Sequence, residues 1–293
     1  MDSRIDQNVV VVCGVTGQQG GAVARELLLE GYSVRGLTRD PEQEKAAELK
    51  RMGVQLVKCD LNNTAEVIHA MKGAWGAFGV FTGLEGGAIR EEQQALRFAV
   101  IAKNTGVKHY VYSSVASADR NTGIPFFENK ARVEKTVKTL NFGSYTILRP
   151  AFFMENFRSP LMWPELERGR LSVALRPETK LQMVAVEDIG RYACLAFTKC
   201  DELNREVINL AGDEITMPQA AAILSDALNK HVEYSRLPIE TLRAFNFELS
   251  VMYEWFDRAG LGVDIPKLRR AYGLEPLTLR QWAAKVKWPV AAR

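Results

Sequence analysis

Three glycines between a run of valines and an amphipathic segment are the clearest chemical signal in this sequence. Gly14, Gly17 and Gly20 recur at a spacing of three residues, and the first stands two residues after Val9–Val12. A tight turn requires the first glycine, close approach of phosphate oxygens requires the second, and helix–strand packing favours the third. Backbone N–H groups at the start of the next helix would then hold a pyrophosphate. The spacing predicts a dinucleotide-phosphate site, with a purely structural turn as the alternative.

An arginine at the end of the second hydrophobic run bears on which dinucleotide binds. Arg39 stands 19 residues after Gly20. An acidic residue here binds the ribose 2′-hydroxyl of NAD, whereas an arginine accommodates the 2′-phosphate of NADP. The planar guanidinium also suits a phosphate better than a lysine ammonium does. The sequence favours NADP, although Asp40 follows immediately and could serve NAD instead.

The third hydrophobic run ends in an acidic and an apolar residue. Asp60 and Leu61 are placed to meet an adenine if the third strand ends beside the first two. The alternative for Asp60 is that it caps the following helix.

These residues must be positioned by an alternation of strands and helices. Short apolar runs predict strands at 9–12, 32–39, 54–60, 76–82, 108–114 and 144–150. Helical periodicity between them predicts helices at 22–30, 41–52, 64–71, 90–104 and 128–140. This alternation predicts an α/β fold, a Rossmann-type doubly wound parallel sheet.

Beyond residue 150 the alternation breaks, and prolines separate shorter segments. We expect a Rossmann domain over 1–150 and a smaller, mostly helical C-terminal lobe over 151–293 for a substrate or partner. Residues 181–212 are expected to return to the Rossmann core, with helices predicted at 188–197 and 217–228. The aromatic-rich tail from residue 237 is interpreted chiefly as core. We expect the lobe to close over the carboxyl ends of the strands, where open α/β sheets bind ligands.

Composition excludes several classes of protein. The net charge of +3 and the pI of about 8.6 are too mild to suggest nucleic acid. The four cysteines form no C-x-x-C pair, and the three histidines have no metal-ligand spacing, so we expect no metal. The polar start Met1–Asn8 predicts no signal peptide. No apolar run approaches the ~20 residues of a membrane span, so a cytoplasmic protein is expected.

The chain resembles the NmrA-like family, an atypical branch of the short-chain dehydrogenase/reductases. The segments that carry the resemblance are VCGVTGQQGGAVARELLLEG, VRGLTRDP, VKHYVYSSVAS, NKARVEK, ILRPAFFMENF, VAVEDIGRYA and LAGDEITMPQAAAILSDAL. They span most of the chain.

The resemblance implies a set of NADP(H) contacts. They are Gly14, Val15, Thr16, Gly17, Gln18, Gln19, Arg39, Asp60, Leu61, Thr82, Gly83, Lys130, Phe153, Met154, Glu155 and Asn156. The last four are expected beside the nicotinamide.

The resemblance also exposes a departure from the usual catalytic pattern. Typical short-chain dehydrogenases place a tyrosine four residues before a lysine, which lowers the pKa of the phenol so that it can pass a proton. Lys130 is present, but Phe126 occupies the tyrosine position. The usual serine would come from Ser113 or Ser114, or its place is taken by Val115, depending on the alignment. The standard proton relay is therefore missing.

Two functions follow from this departure. The first is a nucleotide-dependent redox sensor or regulator, in which nucleotide binding repositions the C-terminal lobe for a protein partner and Lys130 only holds the ribose. The second is an NADPH-dependent reductase of quinones or other conjugated carbonyls, with Lys130 as the catalytic residue. A DNA-binding role is a distant third, because no basic recognition helix is present. Nothing in the sequence indicates the oligomeric state.

Overall fold

The computed structural model describes residues 8–83 and 86–289. The expectation for Met1–Asn8 falls on residues that, apart from Asn8, lie outside this range. The chain divides into two compact units. Unit 1 comprises Met1–Ala118, Phe126–Arg149 and Val186–Ile208, and unit 2 comprises Asp119–Pro125, Pro150–Ala185 and Asn209–Arg293.

The elements alternate regularly over the first half of the chain. In order they are β1 (Val9–Val12), α1 (Gln18–Leu29), β2 (Ser33–Thr38), α2 (Glu44–Arg51), β3 (Gln55–Lys58), α3 (Thr64–Met71), β4 (Gly76–Gly79), α4 (Gly87–Asn104), β5 (His109–Ser113), α5 (Pro125–Thr139) and β6 (Ser144–Pro150).

Shorter elements follow. They are β7 (Phe152–Phe153), a 3-10 helix (Met154–Arg158), α6 (Trp163–Glu167), β8 (Arg170–Val173), β9 (Lys180–Val184), α7 (Val186–Thr198), β10 (Val207–Leu210), β11 (Asp213–Thr216), α8 (Met217–Leu228), β12 (Glu233–Arg236), α9 (Ile239–Phe245), α10 (Phe247–Ala259), α11 (Ile265–Tyr272) and α12 (Leu279–Lys285).

A seven-stranded sheet forms the framework, with the strand order β10-β6-β5-β4-β1-β2-β3. The pairs β1–β2, β1–β4, β2–β3, β4–β5 and β5–β6 are all parallel. The order reverses beside β1, as in a doubly wound Rossmann sheet, and this confirms the predicted fold class. The strand β10 was not predicted, and it extends the sheet beyond β6.

The first helix begins earlier than the sequence predicted. We expected it over 22–30, after a turn that ends at Gly20, but α1 begins at Gln18 and includes Gly20 and Gly21. These glycines are buried, and they allow close approach of neighbouring backbone. A similar close approach occurs where α1 meets α7, since a Cβ on Gly190 would lie 2.9 Å from the carbonyl carbon of Ala22.

Unit 2 contains two small sheets as well as helices. One has the order β11-β9-β7 and the other pairs β12 with β8. The helix α8 has the predicted bounds, and Thr216 and Gln219 form a capping box at its start. The aromatic tail is core only in part. Trp255, Phe256 and Trp282 are buried, whereas Phe245 is 74% and Phe247 62% exposed.

Across residues 8–83 and 86–289, no helix is long and apolar enough to cross a membrane. The same residues contain no group of three or more His, Cys, Asp or Glu side chains that could hold a metal ion.

Candidate functional site

The glycine turn joins β1 to α1 in unit 1. Gly14 has a φ of +59°, a left-handed conformation that favours glycine. The N–H of Gly17 donates a 2.9 Å hydrogen bond to the carbonyl oxygen of Gly14, which closes the turn. A Cβ on Gly20 would lie 2.3 Å from that same oxygen. Gly20 therefore serves the close packing that the sequence assigned to it.

The start of α1 suits an anion. Gly17 is the N-cap residue and provides no side-chain cap, and the first turn contains no acidic residue. The N–H groups of a first helical turn have no partner within the helix, and they carry the positive end of the helix dipole. The side chain of Val15 points away from this surface. It is fully buried and packs against Gly36, where an added Cβ would come within 2.8 Å of it. The turn thus fits a pyrophosphate.

A cavity of about 520 Å³ opens beside the turn, within unit 1. It is in the roughly 300–1,000 Å³ range of small-molecule sites. Its lining includes these predicted contacts: Gly14, Thr16, Arg39, Asp60, Leu61 and Thr82. Residues that the sequence did not assign to the cofactor also line it: Cys13, Leu37, Thr38, Gln43, Cys59, Asn62, Val80, Phe81, Gly86, Arg90 and Gln94. Most of these follow strands β1 to β4, whose carboxyl ends meet at this edge.

The loop after β2 presents both candidate determinants of the cofactor. Arg39 and Asp40 are exposed and line the cavity together. Asp40 is built into the loop, since its Oδ1 accepts a 3.0 Å bond from the N–H of Glu42. The side-chain amide of Gln43 donates to the carbonyl oxygen of Asp40 at 2.9 Å. These bonds fix the loop that carries the guanidinium of Arg39.

The structure excludes one alternative for Asp60. The cap of α3 is Asn63, whose side chain accepts from the N–H groups of Ala65 and Glu66. Asp60 instead accepts 2.9 Å bonds from the backbone and the side chain of Asn62. The interpretation of Asp60 as a helix cap is therefore wrong, because three more residues separate it from the helix.

Some predicted contacts lie outside the cavity lining. Gln18 is exposed. The Oε1 of Gln19 accepts a 2.6 Å bond from the hydroxyl of Ser113, at the end of β5. Gly83 is half-buried, and a Cβ there would lie 3.3 Å from Oε2 of Glu91. Each stays a prediction as a cofactor contact.

The residues expected beside the nicotinamide belong to unit 2. Phe153 ends β7, and the 3-10 helix carries Met154, Glu155 and Asn156. Met154 is fully buried. The Oε1 of Glu155 accepts a 2.9 Å bond from the indole N–H of Trp282. Their contact with a nicotinamide stays a prediction.

Lys130 has a partner that sequence reasoning missed. Its Nζ lies 2.6 Å from Oε1 of Glu91 and also donates to the carbonyl oxygen of Phe81 at 3.3 Å. The side chain of Glu91 is 6% exposed and that of Lys130 is 13% exposed. No local signal distinguishes Glu91 from Glu92 in the sequence, because the pair joins helices that are far apart along the chain.

The hydroxyl groups of both candidate serines are already engaged. Ser113 donates to Gln19, and Ser114 donates a 2.6 Å bond to Oε1 of Glu134. Phe126 is half-buried and lies one helical turn before Lys130 on α5. Burial raises the pKa of Tyr112 well above its ordinary value, and the nearby carboxylate of Glu91 adds to this effect. The phenol of Tyr112 is therefore a poor acid.

The three buried cysteines are expected to be unreactive as thiols. All four are free thiols, and only Cys200 is not buried. Burial raises the pKa of the Cys13 and Cys194 thiols to about 12 and that of Cys59 to about 11. Since the thiolate is the reactive form, these side chains act as small apolar groups, including the two that line the cavity.

A glycine turn at a helix start and a cavity along the carboxyl ends of parallel strands define a Rossmann-type dinucleotide-binding protein. More specifically, residues 6–283 match the family model described as the NmrA-like family, and the chain belongs to that family. It therefore has the NAD(P)-binding fold of that family.

Proteins similar to this chain include, by their names, a regulator and an enzyme. An NmrA-like family domain-containing protein of Dictyostelium discoideum is 28% identical over 267 residues, which cover 86% of this chain and 88% of the relative. NmrA, a negative transcriptional regulator solved with NAD, has a TM-score of 0.80 and 21% identity, with 96% and 95% of the two chains covered. The Escherichia coli NADPH-dependent quinone oxidoreductase, solved with NADPH, has a TM-score of 0.79 and 22% identity, with 94% and 98% covered.

Proposed function

We propose that this chain binds NADP(H) in the cavity beside the glycine turn and acts as a nucleotide-dependent redox sensor or regulator. The α1 N-terminus would hold the pyrophosphate, Arg39 the 2′-phosphate, and Asp60 and Leu61 the adenine side. Lys130 would hold the nicotinamide ribose. A partner protein would bind the NADP⁺-bound and the NADPH-bound forms of this chain with different affinities, and so respond to the redox state of the nucleotide.

The observation that carries the sensor proposal is the state of Lys130. Its ammonium is engaged by Glu91 and by the carbonyl oxygen of Phe81. The residue one turn before it, Phe126, has no proton to transfer. The hydroxyls of Ser113 and Ser114 donate to Gln19 and Glu134. This arrangement supports a binding role for the lysine over proton transfer.

The second candidate is an NADPH-dependent reductase of quinones or other conjugated carbonyls. The likeness to the Escherichia coli quinone oxidoreductase favours it. Bound NADPH would supply a hydride, and Lys130 or water would supply the proton.

One experiment separates the two candidates. Binding of NADPH and NADP⁺ is first measured by calorimetry, and NADPH oxidation is then followed against a panel of quinones, enones and aldehydes. The sensor proposal expects binding with negligible oxidation. Turnover of any panel member at ~1–10³ s⁻¹, the ordinary range for enzymes, would replace the sensor with the reductase.

A further inference from the structure

The Lys130–Glu91 pair is largely removed from water. The ammonium and the carboxylate are 2.6 Å apart, and their side chains are 13% and 6% exposed. The pair lies against the end of β4, because Lys130 also bonds the carbonyl oxygen of Phe81, which lines the cavity. Charges in such a setting are screened far less than charges at the surface.

The pair is electrically neutral as a whole. The carboxylate of Glu91 cancels the charge of Lys130 at contact distance. The next acidic side chain on this face of α5, Glu134, is itself balanced by a bidentate bond from Arg149. Glu92, beside Glu91 in the sequence, points elsewhere and pairs with Arg132. Within the described residues, Glu91 is thus the side chain that offsets the ammonium of Lys130.

We propose that Glu91 determines how well this site accepts the oxidised cofactor relative to the reduced one. This proposal rests on the proposed function, in which Lys130 holds the nicotinamide ribose. The nicotinamide ring of NADP⁺ carries a positive charge that the ring of NADPH lacks. A bare ammonium beside the ring would repel NADP⁺ selectively, and the carboxylate of Glu91 removes that repulsion.

The test compares two affinities in the same protein. The ratio of the Kd for NADP⁺ to the Kd for NADPH is measured by calorimetry in the wild type and in Glu91→Gln. The glutamine keeps the shape of the side chain but leaves Lys130 without its counter-charge. Because a unit charge in a partly buried site is only weakly screened, we expect the ratio to rise by roughly tenfold or more. An unchanged ratio would overturn the proposal.

A matched control comes from the neighbouring residue. Glu92→Gln removes the same charge from the same helix, but from an ion pair whose arginine is 51% exposed. The ratio should stay within about twofold of the wild type, since exposed charges are screened by solvent. A shift as large as that of Glu91→Gln would mean a general charge effect, and the proposal would fail.

A second variant covers the case in which Glu91→Gln does not fold, because its unpaired buried ammonium is costly. The double variant Glu91→Gln/Lys130→Met removes both charges together. If the zero net charge of the Glu91–Lys130 pair controls the ratio, the ratio in the double variant stays within about twofold of the wild-type ratio. This holds even if both affinities change. If Lys130 acts uncompensated in the wild type, the double variant loses a cation and favours NADP⁺ by roughly tenfold. That result would overturn the proposal.

Binding of a cofactor fragment, together with the Lys130→Met variant, distinguishes failure of the proposed role of Glu91 from failure of the proposed function. Adenosine 2′,5′-bisphosphate lacks the nicotinamide ribose and should bind the wild type and all the folded variants equally. Equal NADPH affinity in Lys130→Met and the wild type would show that Lys130 does not hold the cofactor, and the proposed role of Lys130 would fail. Weaker NADPH binding in Lys130→Met, with an unchanged ratio in Glu91→Gln, would reject the role of Glu91 alone.

Discussion

Arg149 and Glu134 form a bidentate ion pair beneath the end of β6. The Nε of Arg149 donates to Oε1 of Glu134 at 2.8 Å, and its Nη2 donates to Oε2 at 2.6 Å. The exposed fractions are 4% for Arg149 and 2% for Glu134. Ser114 donates to the same carboxylate. The pair joins α5 to β6. Because Ser114 donates to the carboxylate of this pair, its hydroxyl has a structural role.

We expect Glu134→Ala to destabilise the fold strongly. Removing one partner of a buried ion pair leaves an uncompensated charge and costs about 3–5 kcal/mol of unfolding free energy. The matched control is Glu48→Ala, which breaks an ion pair with Arg25 whose side chains are about half exposed. That change should cost less than ~1 kcal/mol. Urea unfolding measures both, and equal losses would contradict the role of the buried pair.

Arg39→Ala should reduce the preference for NADPH over NADH. A bidentate, charge-assisted phosphate contact is worth on the order of 1.5–3 kcal/mol, which corresponds to at least about tenfold in affinity. Arg51→Ala is a suitable control, because this arginine is exposed at the end of α2 and does not line the cavity. Calorimetry with both cofactors provides the measurement. NADH binding as tight as NADPH in the wild type would shift the interpretation to Asp40 and NAD.

Two glycines of the turn should respond differently to substitution. Gly17→Val should abolish binding of NADPH and NADH while the chain stays folded, since the side chain would occupy the pyrophosphate site. Gly20→Ala should instead destabilise the fold, because its Cβ would lie 2.3 Å from the carbonyl oxygen of Gly14. Thermal melting and calorimetry distinguish the two effects. Normal NADPH binding by folded Gly17→Val would show that the phosphate site is placed wrongly.

His109 should make stability depend on acidity. Burial lowers the pKa of His109 from 6.5 to about 4, and the nearby backbone of Ala196 acts in the opposite direction. The ring packs against Phe197, with the centroids 5.3 Å apart. The unfolded chain therefore binds this proton at higher pH than the folded chain. The contribution of neutral His109 to the free energy of unfolding is fully present above about pH 6.5. It falls by about 1.4 kcal/mol per pH unit as the pH drops toward 4.

The measurement for His109 is a difference between proteins, because carboxylates titrate in the same range. Urea unfolding at pH 7.5, 6 and 5 should show a smaller loss of stability in His109→Phe than in the wild type. His69→Gln, on the surface of α3, should follow the wild type. Parallel curves for His109→Phe and the wild type would contradict the assigned pKa.

The sequence predicted elements best where local patterning and tertiary packing agree. β1, α3, β6 and α8 have the expected bounds, and α8 begins at a capping box that can be read from Thr216 and Gln219. The predicted start of α1 was wrong because glycine has low helix propensity. Only the packing around the turn stabilises Gly20 within a helix. The strand β10 was missed because its sequence, VINL, includes a polar residue and lacks the continuous apolar run that marks β1.

The site was predictable where a single segment carries the chemistry. The glycine turn and Arg39 could be placed from their spacing, and both border the cavity. Glu91 could not, because its pairing with Lys130 depends on how α4 and α5 pack. The same limit applies to the pair of Glu134 and Arg149. Such long-range charge pairs leave no periodic signal in one sequence.

The last prediction separates a sensor from an enzyme through Phe126 and Lys130. In a reductase that uses Lys130 for proton transfer, Lys130→Met should lower turnover by about 10²–10⁴-fold. In a sensor, the same change should weaken NADP(H) binding, and the wild type should show negligible oxidation that the variant cannot lower. We expect the sensor result, because the ammonium is already bonded to Glu91. Phe126→Tyr provides the complementary test, since it places a phenol one turn before the lysine. A reductase activity that appears only in Phe126→Tyr would show that the missing hydroxyl is what prevents turnover, whereas turnover by the wild type would reject the sensor.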